Sequence, residues 1–255
     1  AQEAEATESE ENIIMKLMGY KRENGRYGVR NHLLIIPASV CSSETAVNIA
    51  KLVDGAIAIP HQHGCCEIGD DFDTTKRTLV GFGKNPNVGA ALVVGLGCEG
   101  IQAKEIADEI KTTGKPVEYI VIQEEGGTAK TVSKGVEIAG KMAREISKQN
   151  KVEFDISEII LGLECGGSDP TSGLASNPSI GVASDMLVSM GGSSILSETT
   201  EVIGAEHLLY PRFEDENEGK KFLEMVKRVE NRSIAAGHDL REGQPTPGNK
   251  AGGLT

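Results

Sequence analysis

The stretch His32-Leu33-Leu34-Ile35-Ile36-Pro37-Ala38-Ser39-Val40-Cys41, followed by a helical pattern over Glu44–Val53, decides the fold class. An unbroken apolar run needs cover on both faces, which is the habit of a strand inside a parallel sheet. The unit recurs along the chain. Apolar runs stand at Ala56–Pro60, Ala90–Leu96, Val117–Gln123, Ile159–Leu163 and Ser194–Leu196. Helical patterns follow at Thr74–Phe82, Gln102–Lys111, Thr128–Gln149, Ile180–Met190 and Glu214–Ala236.

Strands alternating with amphipathic helices predict βαβ units. The fold class is therefore α/β, with parallel sheets flanked by helices of the Rossmann-like or flavodoxin-like kind, in two consecutive units. The charged stretch Ser147–Asp155 sets the expected boundary, with a first domain over 18–150 and a second over 153–255. The final REGQPTPGNKAGGLT is rich in Pro and Gly with no closing element, so the second domain reads as truncated.

At 255 residues the chain can bury a real core. Its 31 glycines, many at the ends of apolar runs, imply strand-to-helix turns where backbone approaches a ligand closely. The net charge of −12 argues against nucleic-acid or membrane-surface partners. It also repels small anions at long range, so a carboxylate ligand needs local helix N-termini, basic side chains or a bound cation. No apolar run approaches the ~18 residues of a membrane span. The opening AQEAEATESEEN lacks the basic and apolar regions of a signal peptide, and residues 1–17 read as a disordered acidic leader. A cytoplasmic chain with reduced thiols is expected.

In open parallel sheets ligands sit beyond the carboxyl ends of the strands. The residues that follow the apolar runs are Ala38–Cys41, His61–Cys66, Gly97–Glu99, Gln123–Thr128, Glu164–Asp169 and Ser197–Glu198. All 5 cysteines lie in these turns, whereas small buried cysteines would scatter through strand interiors. One reading is a soft-ligand metal site or a reactive thiol, with His61 and Cys65 on one turn and Cys98, Glu99, Glu164 and Cys165 approaching from neighbouring strands. The other is that the cysteines merely pack the turns. No CxxC pair is present, which excludes a zinc ribbon. His207 follows the acidic residues Glu201 and Glu206 and is a candidate acid, base or ligand. Gly126-Gly127-Thr128 and Gly166-Gly167-Ser168-Asp169 open helices and could hold anions on backbone amides, or serve as plain N-caps. Gly95-Leu96-Gly97-Cys98-Glu99-Gly100 also fits a dinucleotide fingerprint, with Glu124 at the ribose-binding spacing. That NAD-binding reading is the weaker one, because Glu99 would face the pyrophosphate and the unit is the third strand, not the first.

Longer motifs are more specific. Gly19-Tyr20-Lys21-Arg22-Glu23-Asn24-Gly25-Arg26-Tyr27-Gly28-Val29-Arg30-Asn31 resembles the opening motif of the altronate/galactarate dehydratase family, which includes sulfolactate sulfo-lyase large subunits. His61-x-x-Gly64-Cys65 with Gly69-Asp70-Asp71, and Asn85-Pro86-Asn87 leading to Gly95–Glu99, look like the altronate branch. So do Gly162–Asp169, Ser172-Gly173, Asn177-Pro178, Glu198, Glu201, Gly204-Ala205-Glu206 and Pro247–Gly253. The match runs from Met18 to the last residue and corresponds to the family's second domain plus part of its C-terminal domain.

The resemblance implies a hydro-lyase that dehydrates an aldonate or aldarate, such as altronate or galactarate, to a 2-keto-3-deoxy acid with Fe²⁺ or Mn²⁺. An iron–sulfur cluster is the alternative cofactor. It implies metal ligation by His61, Cys65, Cys98 and Cys165, and acid–base work by His61, Glu99, Glu164 and His207. Substrate carboxylate contacts would come from Arg30, Gly126, Gly127, Thr128, Gly166, Gly167, Ser168, Asp169 and Lys250. The expected partners are a small anionic sugar acid, a small N-terminal-type domain or subunit, and further copies in a homo-oligomer. Sulfolactate desulfonation and non-catalytic carboxylate binding are the rival functions.

Overall fold

A computed structural model of the protein describes residues 16–169, 171–243 and 245–251. Most of the expected leader lies outside these. Its last two residues, Lys16 and Leu17, begin a strand. The chain divides into two compact units, Lys16–Asp155 and one beginning at Ile156.

The first unit contains β1 (Lys16–Lys21), β2 (Tyr27–Gly28), β3 (His32–Pro37), α1 (Val40–Lys51), β4 (Ala56–Ala58) and α2 (Gly69–Lys84). It continues with β5 (Val88–Gly95), α3 (Ala103–Lys111), β6 (Val117–Val121), α4 (Thr128–Ile146) and β7 (Val152–Asp155). Four strands form a parallel sheet in the order β4-β3-β5-β6. The α/β expectation holds, and its physical basis is visible in β5, whose residues are all buried. Successive side chains of a strand point to opposite faces. Leu34, Ile36, Ala91 and Val93 accordingly meet Leu79 and Val80 of α2 and Ile106 and Ile110 of α3. Leu33, Ile35, Leu92 and Val94 meet Ala46 and Ile49 of α1 and Ala139, Met142 and Ile146 of α4. Each fully buried Leu or Ile contributes about 1.5–3 kcal/mol to this three-layer core.

A second sheet, order β2-β1-β7 and antiparallel, was not expected. It pairs Lys16 with Asp155 and Met18 with Glu153. This pairing draws the charged boundary stretch into the first unit, which therefore runs to Asp155. Tyr27 stacks on Phe154 at 4.9 Å, and Gly19 leaves room for that ring.

Lys115, just before β6, is buried, and its ammonium donates to the carbonyls of Gly83 (3.0 Å) and Asn85 (2.6 Å). Burial, and then the nearby Arg22, push its pKa from 10.5 down to about 7. Between those values the unfolded chain binds a proton that the folded chain does not, so stability rises with pH across that window. Urea unfolding at pH 7 and pH 9.5 should show the rise, and Lys115→Met should flatten it. A parent chain less stable at pH 9.5 would contradict the assignment.

The second unit contains β8 (Ile160–Leu163), α5 (Asn177–Ser189), β9 (Ser193–Leu196), α6 (Glu206–Leu209), α7 (Glu216–Ala235), α8 (Leu240–Gly243) and α9 (Pro247–Ala251). β8 and β9 are parallel, with Leu163 beside Leu196, so their carboxyl ends are level. A π-helical turn, Ser172–Ser176, leads into α5. Among the described residues no helix is long and apolar enough to cross a membrane.

Candidate functional site

The strand order creates a switch point in the first unit. From β3 the chain leaves to α1 on one face, and from the neighbouring β5 it leaves to α3 on the other. The loops diverge there and open a crevice at the carboxyl rim. Ala38 N–H donates to Val94 O (2.9 Å), extending the β3–β5 ladder to that rim. Gln123 N–H donates to Leu96 O (3.0 Å), tying in the loop after β6.

The loop after β4 is fastened to the β3–α1 turn. Val40 N–H donates to His63 O (2.8 Å), and Ser43 Oγ both donates to His61 O (3.0 Å) and accepts from His61 N–H (3.2 Å). Gly64, at φ +87°, lies so close that a Cβ there would stand 2.5 Å from Ala38 O. His61 Nε2 is 2.8 Å from Pro37 O, and its Nδ1 accepts from His63 N–H at 3.1 Å. This fixes the Nε2–H tautomer and engages both ring nitrogens, so His61, as placed, clamps the loop and has no free lone pair for a metal or a proton.

The loop brings Cys65 and Cys66 to the start of α1, where Cys41 stands. Cys65 Sγ is 3.9 Å from Cys66 Sγ. All three thiols are exposed. The hydrogen bond to Cys66, then the charges of Cys66 and Cys41, push the Cys65 thiol up to about 11. Cys66 adopts φ +58°, a left-handed conformation rare outside glycine. Cys41 and Cys66 were not among the expected ligands. Their positions, just after adjacent strands, were the available signal.

Cys98 is exposed in the turn after β5. Glu99 beside it is buried, and its Oε2 accepts from the N–H groups of Leu96 (3.0 Å) and Gly97 (2.6 Å). Glu99 Oε1 is buried with no protein partner. The carboxylate is thus a clasp for its own turn. Gly126 and Gly127, both at positive φ, already donate their N–H groups to Gln123 O and Ile122 O. They shape the turn, and no side chain caps α4, which leaves the amides of its first turn, beginning at Thr128, for an anion. Arg30 precedes β3, at the opposite end of the sheet from the rim, and is exposed. The strand between spans about 20 Å, so the structure does not bring Arg30 to the crevice.

In the second unit Cys165 N–H donates to Glu198 Oε2 (2.7 Å), joining the turns after β8 and β9. Cys165 Sγ lies 3.5 Å from Ser168 Oγ. Glu198, at φ +63°, is the other non-glycine residue in left-handed geometry among those described. Asp169 Oδ1 accepts from Thr171 N–H and Oγ1–H, which hold its carboxyl below the usual range. Glu164, Gly166 and Gly167 are exposed in the same turn. His207 on α6 and Lys250 on α9 are exposed and lie outside the turns after β8 and β9. Next to His207, Glu206 pairs with Arg241, not with the imidazole.

Among the described residues no three His, Cys, Asp or Glu side chains converge to hold a metal ion. The donors within either unit by itself therefore do not fit the ion that the resemblance implies. A cleft of about 430 Å³ along α7, and one of about 460 Å³ lined by Lys21, Arg22, Glu23, Lys115 and Glu145, have no strand-end loop residue in their lining.

Residues 19–147 match the model of the D-galactarate dehydratase/altronate hydrolase second domain, and residues 156–255 match the C-terminal domain of D-galactarate/altronate dehydratases. The chain belongs to this dehydratase family. The two matches flank β7, in step with the two structural units. Among curated relatives of the family, the (2R)-sulfolactate sulfo-lyase subunit beta of Chromohalobacter salexigens is 37% identical over 241 residues, covering 93% of this chain and 61% of that protein. Altronate dehydratase of Escherichia coli is 34% identical over 247 residues, covering 92% and 49%. Altronate dehydratase of Bacillus subtilis is 33% identical over 258 residues, covering 97% and 51%. The chain thus spans about half to three-fifths of the length of these dehydratase-family proteins.

Proposed function

We propose that this chain forms the core of a sugar-acid hydro-lyase that converts an aldonate or aldarate, such as altronate or galactarate, to a 2-keto-3-deoxy acid. The observation that carries the reading is topological. Two loops quoted for the family resemblance, His61–Cys65 after β4 and Gly97–Glu99 after β5, are gathered by the strand order at the carboxyl rim.

The reaction breaks the C–H bond beside the carboxylate and the C–O bond at the β-carbon, and forms the enol that becomes the ketone. Its barrier lies in the charge that develops on the carboxylate side. The first-turn amides of α4 can take part of that charge, and helix N-termini suit carboxylate oxygens. Within the first unit the clasp of Glu99 holds the turn after β5 in one shape, so that an acid bound there meets fixed dipoles. An Fe²⁺ or Mn²⁺ ion, implied by the resemblance, would act as a Lewis acid on carboxylate and α-hydroxyl. No step is assigned to it, because the donors of neither unit alone assemble around it.

A second reading has a specific observation behind it. The sulfo-lyase subunit matches at 37% identity, against 34% and 33% for the altronate dehydratases. Sulfolactate elimination uses the same α-proton and the same enol, with sulfite as the leaving group, and a protein named as a subunit implies a partner subunit there. The full-length protein should be assayed on altronate, galactarate and (2R)-sulfolactate. A 2-keto-3-deoxy product is expected, whereas sulfite release would move the assignment to the sulfo-lyase. Inertness toward all three would overturn both. Dialysis against a chelator, followed by Fe²⁺ or Mn²⁺, tests the ion, and iron with acid-labile sulfide separates a lone ion from a cluster.

A further inference from the structure

The first unit buries two cations that have no carboxylate partner among the described residues. Arg22 is 5% exposed and Lys115 7% exposed, whereas Arg and Lys are almost never buried unless paired. Both line the cleft of about 460 Å³, which reaches Gly89 and Pro116 at the amino ends of β5 and β6. Their donors are not all spent. A guanidinium carries five N–H groups and an ammonium three. Arg22 donates to Pro86 O, Asn31 Oδ1, Gln149 Oε1 and Arg30 O, and Lys115 donates to Gly83 O and Asn85 O. One N–H on each is left without an acceptor among the described residues. Every one of these acceptors is neutral, so both charges stay uncompensated in a poorly solvated place. The other charged residues at the cleft, Lys21, Glu23 and Glu145, are exposed at its mouth, and the Tyr20 ring lies 5.7 Å from the guanidinium carbon.

We propose that this cleft binds a small, doubly charged oxyanion, held at its floor by the unspent N–H groups of Arg22 and Lys115. Charge-assisted hydrogen bonds from two cations suit such a ligand. The site stands apart from the dehydratase reading. It lies at the opposite end of the sheet from the carboxyl rim, so its occupant would not overlap a substrate bound there. Burial and then Arg22 lower Lys115 to about 7 in the empty cleft, and an arriving anion favours the ammonium again. Below that value the proton is already in place. Above it, binding must draw a proton from solvent, so affinity falls as pH rises.

The test is calorimetric titration of the 255-residue chain with sodium sulfate and with sodium malonate, against sodium chloride at equal ionic strength. Saturable binding of a dianion is expected, and the tighter of the two shows whether the site prefers a tetrahedral oxyanion or a dicarboxylate. Sulfate keeps its charge between pH 6.5 and pH 8.5 and should bind about tenfold more weakly at the higher value. Lys115→Met should weaken binding at least about tenfold, with far-ultraviolet circular dichroism to confirm the fold. The double variant Glu23→Gln, Glu145→Gln removes two charges from the mouth without touching a buried group, and should tighten binding by about threefold. It decides the matter if Lys115→Met does not fold. No saturable binding of either dianion, sulfate affinity independent of pH, or unchanged affinity in the folded Lys115→Met or in the double variant would each overturn the proposal. Because titration needs no turnover, failure here is distinguishable from failure of the dehydratase reading.

Discussion

Replacing Glu99 with Ala is expected to destabilise the first unit by about 2–4 kcal/mol and, on the proposed hydro-lyase reading, to cut turnover by about a hundredfold. The stability loss comes from the N–H groups of Leu96 and Gly97, which lose their common acceptor, a buried carboxylate. The turnover loss follows because Cys98 and the β5–α3 turn would no longer be held at the switch point. Glu99→Gln separates positioning from chemistry. Its amide oxygen can still accept both N–H groups, so it should cost less than about 1 kcal/mol. If Glu99→Gln is as stable as the parent yet loses turnover to the same extent as Glu99→Ala, the carboxylate charge takes part in the reaction. If Glu99→Ala unfolds at the parent's urea midpoint, the clasp has no energetic role.

Arg22→Ala is expected to cost about 3–5 kcal/mol, the largest loss of any single substitution considered. The guanidinium is buried and donates to Pro86 O (2.7 Å), Asn31 Oδ1 (2.9 Å), Gln149 Oε1 (3.2 Å) and Arg30 O (3.0 Å). Asn31 in turn donates to Ile146 O at the end of α4 (2.9 Å). Through these contacts Arg22 joins β1, the approach to β3, the approach to β5 and the segment after α4. Truncation would leave those acceptors without their donor in a partly buried site. Arg22→Lys should recover little, since one ammonium cannot reproduce a planar fork. Arg30→Ala, at an exposed side chain whose nearest acceptor is Val29 O at 3.5 Å, should change stability by less than about 0.5 kcal/mol. Equal urea midpoints for Arg22→Ala and Arg30→Ala would refute the network.

The opening motif carries both arginines, and sequence reasoning singled out Arg30 for substrate. Nothing in a linear motif tells which of its three arginines is buried. His61 shows the same limit. Its place after a strand was legible, but Pro37 and His63, which consume its two nitrogens, become neighbours only when the β4 loop folds back onto β3. The family resemblance implied acid–base work for Glu99, and the backbone geometry of its turn gives it a structural task.

The sequence by itself determined the parallel sheet, because burial on both faces writes an unbroken apolar run into each central strand and a periodic stripe into each helix. Those patterns are local and survive without knowledge of distant partners. Only the tertiary structure decided the antiparallel sheet of β1, β2 and β7, whose short, half-charged strands become strands by pairing residues such as Lys16 and Asp155 from far ends of the unit. It alone also decided the meeting of the loop after β4 with the β3–α1 turn, where Val40 N–H donates to His63 O. Hydrogen-bond partners and thiol neighbours are set by how loops return across a sheet, and that return leaves no periodic mark in the chain.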